Sequence, residues 1–297
     1  MDTATSAHEK NAAALNSVGA AFLLTGLKIV VGLFSGSLGI LAEAAHSGLD
    51  CVAAIVTLIA IRASCKPADP EHHYGHGKVE NLSALVETLL LLLTCAWIIY
   101  ESVERLTAKH VAVDASFWAF AVLIVSIAID FSRSRMLSRM AVKHRSQALE
   151  ADALHFSTDI WSSGVVILGL IGVRLAAAFP ALSFLQRADA IAALVVAGIV
   201  VMVSLQLGMR TLHALLDGTP EGAVEKIQEA VGALDKVVDC HAVRIRQSGP
   251  HYFVDLHVTL DGDQTLRAAH EITDQVEEAV RQILPGADAT VHPEPKK

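Results

Sequence analysis

The chain has 297 residues, 53% of them hydrophobic and 18% charged, and a formal net charge of -8 with histidine neutral. Soluble domains carry more charge than this, and a net-negative chain lacks the clustered lysine and arginine that a phosphate backbone requires. The mean hydropathy of +0.48 and the gathering of apolar residues before residue 213 point to a polytopic membrane protein with a soluble tail. No nucleophile with an oriented base, no glycine-rich phosphate loop and no Walker motif occur, which argues against an enzyme and against ATP as an energy source. The N-terminus MDTATSAHEKNAAALNS is polar and lacks a cleavable signal pattern. Cys51, Cys65, Cys95 and Cys240 form no CxxC pair and read as free thiols packed as small apolar groups.

Six apolar runs follow, at 13–34, 38–62, 82–103, 114–134, 153–178 and 188–212. Each covers the roughly 20 residues that a spanning helix needs. The chain therefore divides into a cytoplasmic segment 1–12, a six-helix transmembrane bundle 13–212 and a cytoplasmic domain 213–297. The loop SRSRMLSRMAVKHR, between spans four and five, carries Arg133, Arg135, Arg139, Lys143 and Arg145. The loop between spans two and three carries Arg62, Lys66 and Lys78, and the outer loops hold only Arg105, Lys109 and Arg187. This asymmetry places both termini in the cytoplasm. It also explains the one basic cluster as a topology signal.

The second span contains AEAAHSGLDCVAAIV, with Glu43, His46 and Asp50 inside an apolar run. A carboxylate at the bilayer centre costs roughly 2.5–3.5 kcal/mol on insertion scales. His46 and Asp50 are i and i+4, on one helix face. The fifth span repeats the spacing in ALHFSTDIWSS, as His155 and Asp159. Two helices that each carry H-x-x-x-D can bring two imidazoles and two carboxylates to one point, a donor set that suits tetrahedral Zn²⁺. Glu43 reads either as a supporting or relay acid or as a partner of a polar group such as Asn16. Asp130 reads as an interfacial ion pair with Arg133 or Arg135.

The loop KPADPEHHYGHGKVENLSAL offers a second, partial metal site in Asp69, His72 and His76. In the tail, 220–235 reads as an amphipathic helix, VVDCHAVRIRQ and HYFVDLHVTL as strands joined at SGP, TLRAAHEITDQVEEAVRQIL as a long helix and ADATVHPEP as a short strand. The order αββαβ gives a small α+β sandwich. His213, His241, His251, His257, His270 and His292 are scattered through it. Spacing alone leaves open whether they converge or lie on the surface.

The paired H-x-x-x-D helices, DPEHHYGHGKVENLSAL and RIRQSGPHYFVDLHVTL…AAHEITDQVEEAV…VHPEP together resemble the cation diffusion facilitator family over nearly the whole chain. The resemblance implies a homodimeric, proton-coupled exporter of Zn²⁺ or another divalent metal in the inner membrane, with a ferredoxin-like C-terminal domain. By resemblance His46, Asp50, His155 and Asp159 form the transport site, and Asp69, His72 and His76 the loop site. His241, His257, His270 and His292 form the site in the tail. Glu294 stands where relatives can carry aspartate. His251 has no counterpart. Lys78 and Asp217 match a charge pair that holds the membrane domains together across the dimer. Co²⁺, Fe²⁺, Cd²⁺ and Mn²⁺ remain alternatives to zinc, since imidazole and carboxylate suit several of these metals. A membrane-anchored metal sensor or assembly scaffold is the alternative function, although a scaffold has no need of four ionisable groups in lipid.

Overall fold

A computed structural model describes residues 3–35, 38–107, 117–178 and 185–296. Six long helices come first: α1 (Thr3–Ser35), α2 (Leu38–Ser64), α3 (Lys78–Thr107), α4 (Phe117–His144), α5 (Gln147–Ala178) and α6 (Leu185–Leu215). The tail follows as α7 (Ala223–Gly232), β1 (Asp239–Ser248), β2 (His251–Leu260), α8 (Leu266–Ile283) and β3 (Asp288–Pro295). Among the described residues four segments are long and apolar enough to cross a membrane: Thr5–Phe34, Ala44–Ser64, Lys78–Glu104 and Ala193–Leu215. α4 and α5 fall outside that set. Charged residues lie in both: Asp130 and Arg133, buried in α4, and Asp152, buried, and Asp159, partly buried, in α5.

Small side chains let the helices close on one another, as expected where lipid supplies no hydrophobic drive for association. Ala14, Val18, Ala54, Leu58, Ile61, Leu137, Ala141, Leu149, Ala153 and Phe156 form one core that joins α1, α2, α4 and α5. Ala84, Ala151 and Leu207 tie α3, α5 and α6. Large apolar residues such as Phe22, Leu33, Leu93, Trp97, Ile199 and Met202 point outward, where lipid would meet them.

The helices outrun their apolar runs, and this corrects one expectation. SRSRMLSRMAVKH is not a loop but the last turns of α4, which ends at His144. Arginine, methionine, leucine, alanine and lysine are good helix formers, so the helix continues past its apolar part. Arg145, at φ 50°, stops it. Only Arg145 and Ser146 separate α4 from α5.

Beneath the bundle a buried polar clasp binds four helix ends. Glu80 is fully buried. Its Oε1 accepts from Lys10 Nζ at 2.5 Å and from Ser64 Oγ at 2.9 Å, and its Oε2 accepts from Ser146 Oγ at 2.5 Å. Next to it, Asn81 donates to Gln147 at 2.7 Å and accepts from the Gly249 backbone N–H at 2.8 Å. The β1–β2 turn of the tail is thus fastened to the first turn of α3.

The tail is a three-stranded sheet in the order β1-β2-β3. β2 pairs antiparallel with β1 and parallel with β3. A parallel pairing needs a crossover, and α8 supplies it. Alternation along β2 sends Val254, Leu256, Val258 and Leu260 inward, where they meet Ile227 and Val231 of α7 and Ile272, Val276 and Val280 of α8. Thr265 caps α8 by accepting from the Ala268 N–H. The same alternation turns His257 to the opposite, open face.

Candidate metal centres

α2 and α5 bring their H-x-x-x-D pairs together. His155 Nε2 lies 3.1 Å from Asp50 Oδ1 and 3.7 Å from Asp159 Oδ2, and His46 Nε2 lies 4.0 Å from Asp159 Oδ1. Asp50 and His155 are buried, whereas the His46 ring is 41% exposed. Asp50, His155 and Asp159 each offer a donor atom within 4.8 Å of the others. Four donors at about 2.0–2.1 Å from one zinc in a tetrahedron stand roughly 3.3 Å apart. The spacings of His155 from Asp50 and Asp159 bracket that edge length, and His46 stands farther out, 4.0 Å from Asp159.

The surroundings hold more charge than the motif alone implies. Asp130 pairs with Arg133 at 3.3 Å, and both side chains are buried. The Arg133 guanidinium also donates to Ser17 Oγ at 3.1 Å and lies 3.4 Å above the Phe156 ring. Ser17 in turn donates to Asp152 at 3.2 Å. Lys28, on α1, is buried and donates to Ser47 Oγ at 2.7 Å, beside His46. Sequence reasoning missed Lys28, Glu87 and Asp152. The available signal was the rule already applied to Asp50: a charged residue inside AFLLTGLKIVVGLF or ALVETLLLLL needs a reason. The Glu43 side chain lies outside the described residues.

The loop site is local. Asp69 Oδ1 accepts from the backbone N–H of Glu71 and of His72, at 2.9 and 2.7 Å. The His72 backbone N–H, ahead of the others, holds the Asp69 carboxyl below its ordinary range. His72 Nδ1 and His76 Nε2 lie 3.2 and 3.3 Å from its two oxygens. Gly75, at φ 73°, makes the turn that brings His76 back to His72. His73 is not part of this group.

In the tail, strand register builds the site. His241 stands opposite His257, and His257 opposite His292, so three imidazoles form a row across the sheet. Glu294 is two residues beyond His292, on the same face. Its carboxylate lies 2.9 Å from His257 Nδ1, 3.4 Å from His241 Nε2 and 3.9 Å from His292 Nε2. The hydrogen bond from His257, then the charges of His241 and His292, lower the Glu294 pKa. The extra methylene of glutamate places its oxygens at the centre of the group. His270 is not brought to it in the single chain. It lies exposed on α8, 3.9 Å from Asp274. His213 meets the Thr219 carbonyl at 3.2 Å, away from these clusters. His251 is exposed at the start of β2, at the junction with the bundle. Lys78 Nζ donates to Asp217 Oδ1 at 2.7 Å within one chain, both side chains being substantially exposed.

The helical bundle with its ionisable side chains, joined to a small sheet domain, is the architecture to which sequence models of a membrane transporter of cations fit. The model described as the cation efflux transmembrane domain matches residues 14–216, and that of the cation efflux protein cytoplasmic domain matches residues 219–296. The chain belongs to the cation diffusion facilitator family of cation-efflux transporters. It is 32% identical over 286 residues to the cation-efflux pump FieF of Serratia proteamaculans, covering 95% of this chain and 92% of that one. It is likewise 32% identical over 289 residues to FieF of Yersinia enterocolitica, covering 96% and 92%. The metal-bound C-terminal domain of the CzcD transporter from Thermotoga maritima is 28% identical over 25% of this chain and 86% of that one, with a TM-score of 0.24.

Proposed function

We propose that the protein exports Zn²⁺ from the cytoplasm across the inner membrane in exchange for protons, as a homodimer with six spans and both termini in the cytoplasm. The observation that carries this reading is the convergence of Asp50, His155 and Asp159 on one point between α2 and α5, with His46 4.0 Å from Asp159. Two nitrogens and two oxygens at near-tetrahedral spacing favour zinc over the harder Mg²⁺ and Ca²⁺, which want more oxygen.

Charge balance supports the coupling. Two aspartates neutralise one divalent ion. When the ion leaves, two negative charges remain in a low-dielectric seam unless protons replace it. Imidazoles titrate near physiological pH, and ligands must be deprotonated to bind metal. Metal release and proton uptake are therefore linked at the same four side chains.

The Asp69–His72–His76 and His241–His257–His292–Glu294 groups are read as further zinc sites on the cytoplasmic side. His270, exposed on α8, is left for a contact across the dimer. Lys78 and Asp217 are read as a latch beneath α3 and α6.

The test is metal uptake into proteoliposomes under an imposed pH gradient, with Zn²⁺, Co²⁺, Cd²⁺, Fe²⁺ and Mn²⁺, on wild type and Asp50→Ala. Zinc uptake that needs both the gradient and Asp50 is the expected result. Gradient-independent flux would remove the antiport, and undiminished flux in Asp50→Ala would remove the site. Flux of a different metal alone would replace zinc as the cargo.

A further inference from the structure

Lys28 is 4% exposed on α1, in an otherwise apolar stretch. Its ammonium donates to Ser47 Oγ at 2.7 Å. Thr25, one turn earlier on α1, donates to the Ser47 carbonyl at 3.0 Å. These contacts hold the lysine against the part of α2 that lies between His46 and Asp50. The ammonium is thereby fixed on the residue next to His46, three positions before Asp50 on α2.

We infer that Lys28 is a tethered cation that sets the affinity of the intramembrane site for its divalent cargo. The inference rests on the reading of His46, Asp50, His155 and Asp159 as the transport site. The physical reason is a difference between two states. In the emptied site an ammonium attracts the carboxylates and offsets part of the cost of holding them in low dielectric. In the loaded site it repels the metal, twice as strongly for a divalent ion as for a monovalent one. Both effects act in one direction: they narrow the free-energy gap between the loaded site and the emptied site before protons enter it. A transporter needs a narrow gap, because an ion held too tightly does not leave. Whatever else the ammonium touches, removing it leaves the site one charge more negative. Lys28 does not bind cargo in this account but tunes the groups that do.

The experiment measures initial Zn²⁺ uptake by the full-length protein in proteoliposomes under a fixed pH gradient. Lys28→Met is expected to lower KM about tenfold or more, as loss of a unit charge at short range in a low dielectric predicts. It should also lower the maximal rate, because release slows. Lys28→Arg keeps the charge and stays near wild type in both parameters. Ser47→Ala removes the hydrogen bond but not the ammonium, and also stays near wild type. Lys28→Gln is the second charge-removing variant, with a donor retained toward Ser47, and must move KM in the same direction. An unmoved KM in whichever of the two folds overturns the inference. So does Ser47→Ala reproducing the full shift, since that outcome would make Lys28 a helix anchor only. Asp159→Ala separates the two claims. Uptake retained there strikes at the quartet itself, whereas uptake lost there with an unmoved KM in Lys28→Met strikes at the lysine alone.

Discussion

Glu80 and Lys10 show what a single buried charge costs in this fold. Both are nearly without solvent contact, and they meet at 2.5 Å. Removing one partner leaves the other charge buried and uncompensated, a loss of about 3–5 kcal/mol in comparable pairs. Glu80→Ala should therefore lower the unfolding temperature of the detergent-solubilised protein sharply. Replacing both partners, as Lys10→Met with Glu80→Leu, should recover most of it. Equal stability of Glu80→Ala and wild type would show the clasp to be ornamental. Glu294 gives a pH signature of the opposite, exposed kind. Its pKa is depressed in the folded tail, mainly by the His257 ring. A depressed carboxylate contributes stability that is fully present above its unfolded value of about 4.3 and is lost as pH falls through the folded value. In metal-free protein, the stability difference between wild type and Glu294→Gln should shrink as pH drops through that window. A constant difference on a thermal-unfolding series from neutral to acidic pH would contradict the assignment of the shift.

The junction between bundle and tail belongs to the scale of elements. Gly77 and Gly249 lie back to back: a Cβ on Gly249 would stand 2.7 Å from the Gly77 carbonyl oxygen, and one on Gly77 would collide with the Ser248 backbone. The neighbouring atoms are main chain and cannot rotate away. Around this contact Tyr74 meets Phe253 edge-on at 5.1 Å, and Arg246 lies 3.7 Å above the Tyr74 ring. Gly77→Ala is expected to open the junction without unfolding the tail. Hydrogen exchange should rise in the β1–β2 turn and at Asn81 while α8 and the strand core keep their protection. An unchanged exchange map would mean that the contact yields more easily than its geometry implies. This junction also shows where sequence reasoning stops. The tail elements were legible because period-2 and period-3.6 patterns are local: the strand expected over HYFVDLHVTL is β2, residue for residue. The α4 extension was not legible as helix, because charge was read as loop where only the apolar run had ended. The glycine-to-glycine contact joins positions 77 and 249, and no local pattern connects them.

At the scale of the whole molecule, three groups of side chains that could hold a metal ion lie at different places: between helices, in a loop and on a sheet. The H-x-x-x-D pairs were readable because helix geometry turns a spacing of four into one face. The tail row was not, since His241, His257 and His292 become neighbours only through strand register. Chelation should therefore affect the regions unequally. Removing metal from the full-length protein is expected to raise hydrogen exchange in residues 69–76 and in β3, where ligands of like polarity lose their common partner. Protection of α1 to α6 away from the quartet should not change. A uniform rise would point to metal holding the bundle together as well.

The short link between α4 and α5 has a mechanical consequence. Ser146 sits in that link and is bonded to Glu80, so these two helices are joined almost without slack. α1 and α2 are laced by Lys28 and Thr25 to Ser47. The four-residue site is thus shared between two jaws: one carries His46 and Asp50, the other His155 and Asp159. A small slide of one jaw past the other stretches only the distances that run between them. On the proposal that these side chains hold the transported ion, opening a path for it and loosening the grip on it are one and the same displacement.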